Sequence, residues 1–168
     1  MLDICLLGTG GMMPMPSRFL TAMLARLNGR LALIDCGEGT QVTMKMLGWG
    51  FKAIDVICFT HFHADHISGL PGLLLTIGNA GRTEPLMLIG PVGLQRIVEG
   101  LTLIAPELPF PIEYIELTQD APNPIRVGAF EIHHCPADHM VKCFAYRIDL
   151  KRKGKFDVKK AEQLKLPK

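Results

Sequence analysis

The run Val56-Ile57-Cys58-Phe59-Thr60-His61-Phe62-His63-Ala64-Asp65-His66 constrains this chain more than any other stretch. Four consecutive apolar residues read as a buried strand, and four metal-capable side chains follow within six residues. His61 and His63, two apart in extended chain, project to the same side. A turn through Ala64 brings Asp65 and His66 back toward them, so one loop can hold two nearby cations. A fold containing this stretch has a strand that ends at a metal site.

All six histidines fall in two clusters, 61–66 and 133–139. The second, His133-His134-Cys135-Pro136-Ala137-Asp138-His139, follows a strand read over Phe130 to His133 and precedes one read over Val141 to Leu150. Two clusters at strand ends, one holding an internal carboxylate, point to a shared metal site. Spacing does not choose among His133, His134 and His139, and Cys135 and Asp138 are donors as well.

The remaining elements follow from periodicity and turn chemistry. Leu2 to Leu7 reads as a strand, broken by Gly8-Thr9-Gly10-Gly11; no Lys-Ser/Thr follows, so this is a structural turn and not a phosphate loop. Thr21 to Leu27 and Leu31 to Ile34 read as a hairpin about Asn28-Gly29. Asp35-Cys36-Gly37-Glu38-Gly39-Thr40-Gln41 leads into a helix with Val42, Met46 and Leu47 at helical spacing. Asp35 has two readings there. It organises the turn, or it reaches from a strand end parallel to the one before His61 and accepts a hydrogen bond from a ligating imidazole. Gly69 to Ile77 reads as a helix with Pro71 near its first position, Leu86 to Ile89 as a strand and Gly90-Pro91 as a turn. Gly93 to Leu103 is a helix with Leu94, Ile97, Val98 and Leu101 on one face, and Ile112 to Leu117 and Ile125 to Val127 are further strands. Strands alternating with two or three helices predict an α/β sandwich.

With 168 residues, 48% of them hydrophobic, the chain is about one domain with a sizeable core. No apolar run approaches the ~20 residues of a membrane helix, and no basic segment precedes an apolar one at the start, so the expected compartment is the cytoplasm with no membrane partner. Five cysteines (Cys5, Cys36, Cys58, Cys135, Cys143), odd in number and without a CxxC pair, read as buried thiols and not as a disulfide framework. The formal charge of +2 hides an asymmetry: residues 151–168 hold eight of the eighteen Lys and Arg against two acids, leaving the first 150 residues net acidic. Such a segment is either a footprint for a polyanion such as nucleic acid or a solvated tail.

Thr60-His61-Phe62-His63-Ala64-Asp65-His66 resembles the HxHxDH signature of the metallo-β-lactamase superfamily, and Gly69-Leu70-Pro71-Gly72-Leu73-Leu74 resembles its ribonuclease Z branch. Leu7-Gly8-Thr9-Gly10, the run from Asp35 to Gln41, Gly90-Pro91 and the run from His139 to Arg147 are similar to that family's other landmarks, in its order. The resemblance implies a metallo-β-lactamase αββα sandwich of which about the N-terminal half to two-thirds is present, with 1–150 in that domain and 151–168 starting a basic tRNA-binding arm. It implies that His61, His63 and His139 ligate one zinc and Asp65 and His66 a second, so that it is the resemblance that selects His139. It further implies hydrolysis of precursor tRNA to release the 3′ trailer by water activated between two zinc ions, with Asp65 handling that water's proton, and a homodimer. The family's later bridging Asp and two further His match nothing here, so this chain alone is expected to be a poor enzyme. The alternatives are a noncatalytic RNA-binding or oligomerising half-domain, or another phosphodiesterase of the same fold.

Overall fold

The structure, a computed structural model, describes residues 1–13, 15–105, 107–150, 154 and 157–165. The rest of the basic run, 151–153, 155–156 and 166–168, lies outside the described residues.

β1 (Leu2–Gly8), β2 (Ala22–Leu27) and β3 (Arg30–Ile34) form an antiparallel meander. Asn28 at φ 52° and Gly29 at φ 78° supply the two left-handed positions that a two-residue type I′ hairpin requires. The sheet then turns parallel, adding β4 (Ile54–Cys58), β5 (Leu86–Pro91) and β6 (Ile112–Leu117) in chain order. Parallel neighbours cannot be joined by a tight turn. The crossovers are α1 (Thr40–Leu47), then the single turn α2 (Ala64–Ile67) with α3 (Leu70–Asn79), then α4 (Leu94–Leu101). A separate antiparallel sheet follows, β7 (Ile125–Val127), β8 (Phe130–Ala137) and β9 (Cys143–Asp149), and α5 (Val158–Gln163) comes last.

Strand alternation sorts the core into two layers. Leu31 and Leu33 of β3, Ile54 and Ile57 of β4, and Leu86 and Leu88 of β5 pack with Met44 of α1, Leu70, Leu73, Leu74 and Ile77 of α3, and Leu94 and Val98 of α4. Ala32, Val56, Cys58 and Ile89, from the intervening positions, pack with Ile125, Phe130 and Ile132 of the second sheet. The molecule is therefore a helix layer on a six-stranded sheet on a three-stranded sheet, a partial α/β sandwich of the expected kind. Arg82, 1% exposed, links the starts of two parallel strands: its guanidinium donates to the carbonyls of Lys52 and Ile54 before and at β4, and of Glu84 and Pro85 before β5.

Five expectations change. Gly90-Pro91 is the end of β5, paired with Glu116 and Leu117, and the chain reverses only at Gly93, φ 99°. Proline fits there because β4 pairs with β5 only as far as Ile89, so the ladder on that side has ended before Pro91. The helix read over Gly93 to Leu103 ends at Leu101 and tightens into a 3-10 turn over Thr102–Ile104. The strand read over Phe130 to His133 runs on to Ala137, so His133, His134 and Cys135 lie within a strand and not after it. Part of the segment read as an apolar-poor basic tail is helical: α5 begins at Asp157, whose side chain accepts from the Lys160 N–H. Cys36 and Cys58 are buried thiols as expected, whereas Cys135 is exposed.

Candidate metal centre

The centre forms at the C-terminal ends of β3 and β4, the edge of a parallel sheet where the chain leaves into connecting loops. Asp35 follows β3 at φ 58°, a left-handed conformation that Asp tolerates better than most residues. Its N–H pairs with the Cys58 carbonyl at 2.8 Å, so β4 and the exit of β3 are locked together. Two glycines allow the loop after β4 to fold back onto this exit. A Cβ on Gly69 would lie 2.1 Å from the Gly37 carbonyl oxygen, and one on Gly37 would lie 2.4 Å from that of Asp65. With both bare, Cys36 N donates to His66 O at 2.7 Å and Gly69 N to Cys36 O at 2.9 Å.

Asp35 is 2% exposed and fully engaged. Its Oδ1 accepts the Thr60 N–H and its Oδ2 accepts the Thr60 hydroxyl, both at 2.8 Å, while His66 Nδ1 donates to Oδ2 at 2.8 Å. The Thr60 oxygen in turn lies 2.9 Å from His61 Nδ1 and can accept its proton. One carboxylate thereby holds two imidazoles in the tautomer that leaves Nε2 unprotonated. Of the two roles weighed for Asp35, the geometry provides the imidazole contact. The following helix α1 is capped by Gly39 without any side-chain hydrogen bond.

His61 Nε2 and His63 Nδ1 are 3.0 Å apart, and His139 Nε2 is 3.4 Å from the same His63 nitrogen. His139 arrives from the loop between β8 and β9, positioned by two hydrogen bonds from β9 to the exit of β4: Phe144 N to Thr60 O at 2.9 Å and Tyr146 Oη to Phe59 O at 2.7 Å. Burial lowers the pKa of His61, and the positive charge that His66 and His63 can carry lowers it further, so its lone pair stays available. Burial also disfavours protonated His66, yet the hydrogen bond and charge of Asp35, with Asp65 behind them, leave its pKa raised.

Three imidazole nitrogens facing one another cannot satisfy each other as neutral acceptors, and a shared cation resolves this. Nitrogens each ~2.0 to 2.1 Å from a tetrahedral zinc lie about 3.3 Å apart, a spacing that the observed pairs match. His66 Nε2 lies 3.7 Å from Asp65 Oδ2, beside this group, so the two could share a second cation. The site residues expected from sequence thus fall together as a trio and a pair. His133 and His134 do not join them: His134 Nε2 bonds the Pro122 carbonyl at 3.2 Å.

His133 belongs to a group that sequence reasoning missed, with Glu131 and Asp149. Its Nε2 is 3.1 Å from Asp149 Oδ2. Arg126 holds Glu131 at 3.2 Å and Arg147 holds Asp149 at 2.8 Å, so the group is a charge-balanced network between strands. The signal was the register of β8 on β9, which pairs Glu131 with Asp149 and His133 with Arg147 and is not visible in the chain order.

Residues 2–98 match the family model described as Anti-Pycsar protein Apyc1. The chain is 56% identical to ribonuclease Z of Lachnospira eligens and 58% identical to ribonuclease Z of Clostridium kluyveri, in each case over 99% of this chain and 55% of the relative. It therefore spans about half the length of the curated relatives it matches. Among solved structures it superposes on human tRNase Z, short form (ELAC1), with a TM-score of 0.77 and 30% identity, over 89% of this chain and 65% of that one. The metallo-β-lactamase-fold protein YhfI from Bacillus subtilis, at 22% identity and a TM-score of 0.70 over 88% of this chain and 58% of that one, shares the fold.

Proposed function

This chain belongs to the family described by the Apyc1 model and shares the metallo-β-lactamase fold, and from that premise and its ribonuclease Z relatives we propose that it is the N-terminal share of a zinc-dependent endoribonuclease that removes the 3′ trailer from precursor tRNA. The observation that carries this reading is the convergence of His61, His63 and His139 beside Asp65 and His66, with Asp35 fixing the imidazoles.

In this reading His61, His63 and His139 hold one zinc, and Asp65 and His66 contribute to a second. Bound zinc supplies a Lewis acid for the phosphoryl oxygens and brings the pKa of water to about 7. The chain's own residues orient and move protons. Asp35 and Thr60 keep the Nδ1 protons of His66 and His61 in place, and Asp65, with its carboxylate next to His66 Nε2, is positioned to take the proton of the attacking water. Phe59 and Phe62, their rings 6.5 Å apart, anchor the two sides of His61 in the apolar core, Phe59 within it and Phe62 packed against it.

The proposed organisation is 1–150 as the N-terminal part of the metallo-β-lactamase domain and 151–168 as the start of a basic tRNA-binding arm. We propose that the full protein works in the cytoplasm as a homodimer. Among the described residues no helix is long and apolar enough to cross a membrane. Zinc sites use three or four protein ligands. Asp65 and His66 alone therefore hold the second ion weakly, and this chain by itself cleaves poorly.

The test is metal content alongside cleavage of a 3′-extended tRNA. The purified chain is expected to bind one zinc tightly, to lose it in the His61→Ala, His63→Ala double variant, and to cleave weakly. Unchanged zinc in that variant overturns the ligand assignment, and robust turnover by the chain alone overturns the need for further ligands.

A further inference from the structure

A cleft of about 850 Å³ lies beside the metal centre, between the ends of β6 and β8 and the start of β9. Two links tie its lining to the centre. His139 sits in the loop whose two ends, Ala137 and Lys142, line the cleft, and Phe144, also in its lining, donates its N–H to Thr60 next to His61. Leu117, Pro136 and Phe144 make it apolar, and the His134 ring meets the Phe144 ring edge to face, centroids 5.9 Å apart at 74°. His134 is fixed from two sides: the Asn123 side chain accepts from its N–H and donates to its carbonyl, and its Nε2 donates to Pro122 O. Gln119 and Lys142 stand exposed in the lining, and neither side chain has a hydrogen bond or ion pair among the described residues.

We infer that this cleft binds one unpaired RNA nucleotide adjacent to the phosphodiester held at the metal centre. The inference rests on the RNA-processing reading above and adds to it the place of a flanking base. A fixed aromatic pair on an apolar floor is what a single-stranded base stacks against, independent of its identity. The Lys142 ammonium matches the phosphate of that nucleotide, and the Gln119 amide can donate to or accept from the edge of any base. A duplex cannot present a base in this way, so the site selects single-stranded RNA next to the cleaved bond.

Cys135 provides the probe, because it is exposed and lines the same cleft, whereas Cys36 and Cys58 are buried. The zinc-loaded chain is titrated with a fluorescent single-stranded hexaribonucleotide and, separately, with a 3′-extended tRNA. Alkylation of each cysteine by iodoacetamide is followed by peptide mass spectrometry. Saturating hexanucleotide is expected to slow alkylation of Cys135 several-fold without changing that of Cys5. Lys142→Glu, an exposed change that leaves the melting temperature in place, is expected to weaken hexanucleotide binding about tenfold. Hexanucleotide binding without protection of Cys135, or with full affinity in Lys142→Glu, overturns the cleft while leaving the RNA-processing reading standing. Binding of the tRNA but not the hexanucleotide likewise overturns the cleft alone. If neither RNA binds, both readings fall.

Discussion

Asp35 and Arg82 are both buried charges, and they differ in what they serve. Asp35 accepts from Thr60 and His66 and fixes which imidazole nitrogens face the metal centre. Asp35→Asn keeps the shape but can reverse the hydrogen-bond polarity, and removing such a partner costs about 10- to 100-fold in metal affinity. Competition against a chromophoric zinc chelator measures it; affinity equal to the parent would show that Asp35 does not orient His66. Among the described residues Arg82 donates to four backbone carbonyls and to no group of the centre. Burial lowers its pKa, yet those acceptors hold it in place. Arg82→Met leaves buried carbonyls without donors at about 1–3 kcal/mol each. A loss of roughly 3 kcal/mol or more in urea unfolding is expected, and a loss below 1 kcal/mol would mean that water replaces the guanidinium.

Among elements, the exit of β3 and the start of α3 set the site's dimensions, because Gly69 and Gly37 touch backbone to backbone. Gly69→Ala has no room for its methyl, so the 63–69 loop must move away from Cys36 and carry His66 off Asp35. The expected outcome is a lower melting temperature together with weaker zinc binding. A change in stability with zinc affinity intact would show that the loop adjusts without displacing His66. Gly81→Ala is a control for intrinsic glycine effects, since it has a positive φ but nothing within 4 Å of the added carbon.

The whole molecule has two predictable behaviours. Burial pushes the Cys36 thiol up to about 12 and raises Cys58 as well, in the core beneath the metal centre. Unfolded thiols ionise near pH ~8.5, so the stability of keeping these groups protonated is complete below that pH and is lost as pH rises toward 12. The urea midpoint should fall from pH 8 to pH 10, and Cys36→Ala should flatten that slope; an identical slope would assign the loss to other groups. Ile4 and Leu6 on β1 are 59% and 65% exposed, an apolar strip at the sheet edge. Replacing both with Thr should reduce concentration-dependent light scattering without lowering the melting temperature, because little burial is lost. Undiminished scattering would place the association elsewhere.

Much of this was legible in the chain itself. The Asn28-Gly29 hairpin, the buried strands, Pro71 at the start of α3 and the pair His61 and His63 follow from local rules: turn chemistry, side-chain period and the missing proline N–H. Local rules failed where another strand decided the outcome. β8 runs through the second histidine cluster because it has β9 to pair with, and that pairing turns His133 toward Glu131 and Asp149 and leaves His139 to the loop. Sequence by itself determined that the loop after β4 carries a cluster of metal-capable side chains. Only the tertiary structure decided which distant groups meet it, His139 from 76 residues away and Asp35 from the neighbouring strand end. The physical reason is that a side chain's direction within its own strand is a local property, whereas register and crossover bring two chain segments together only when the sheets and their core have formed.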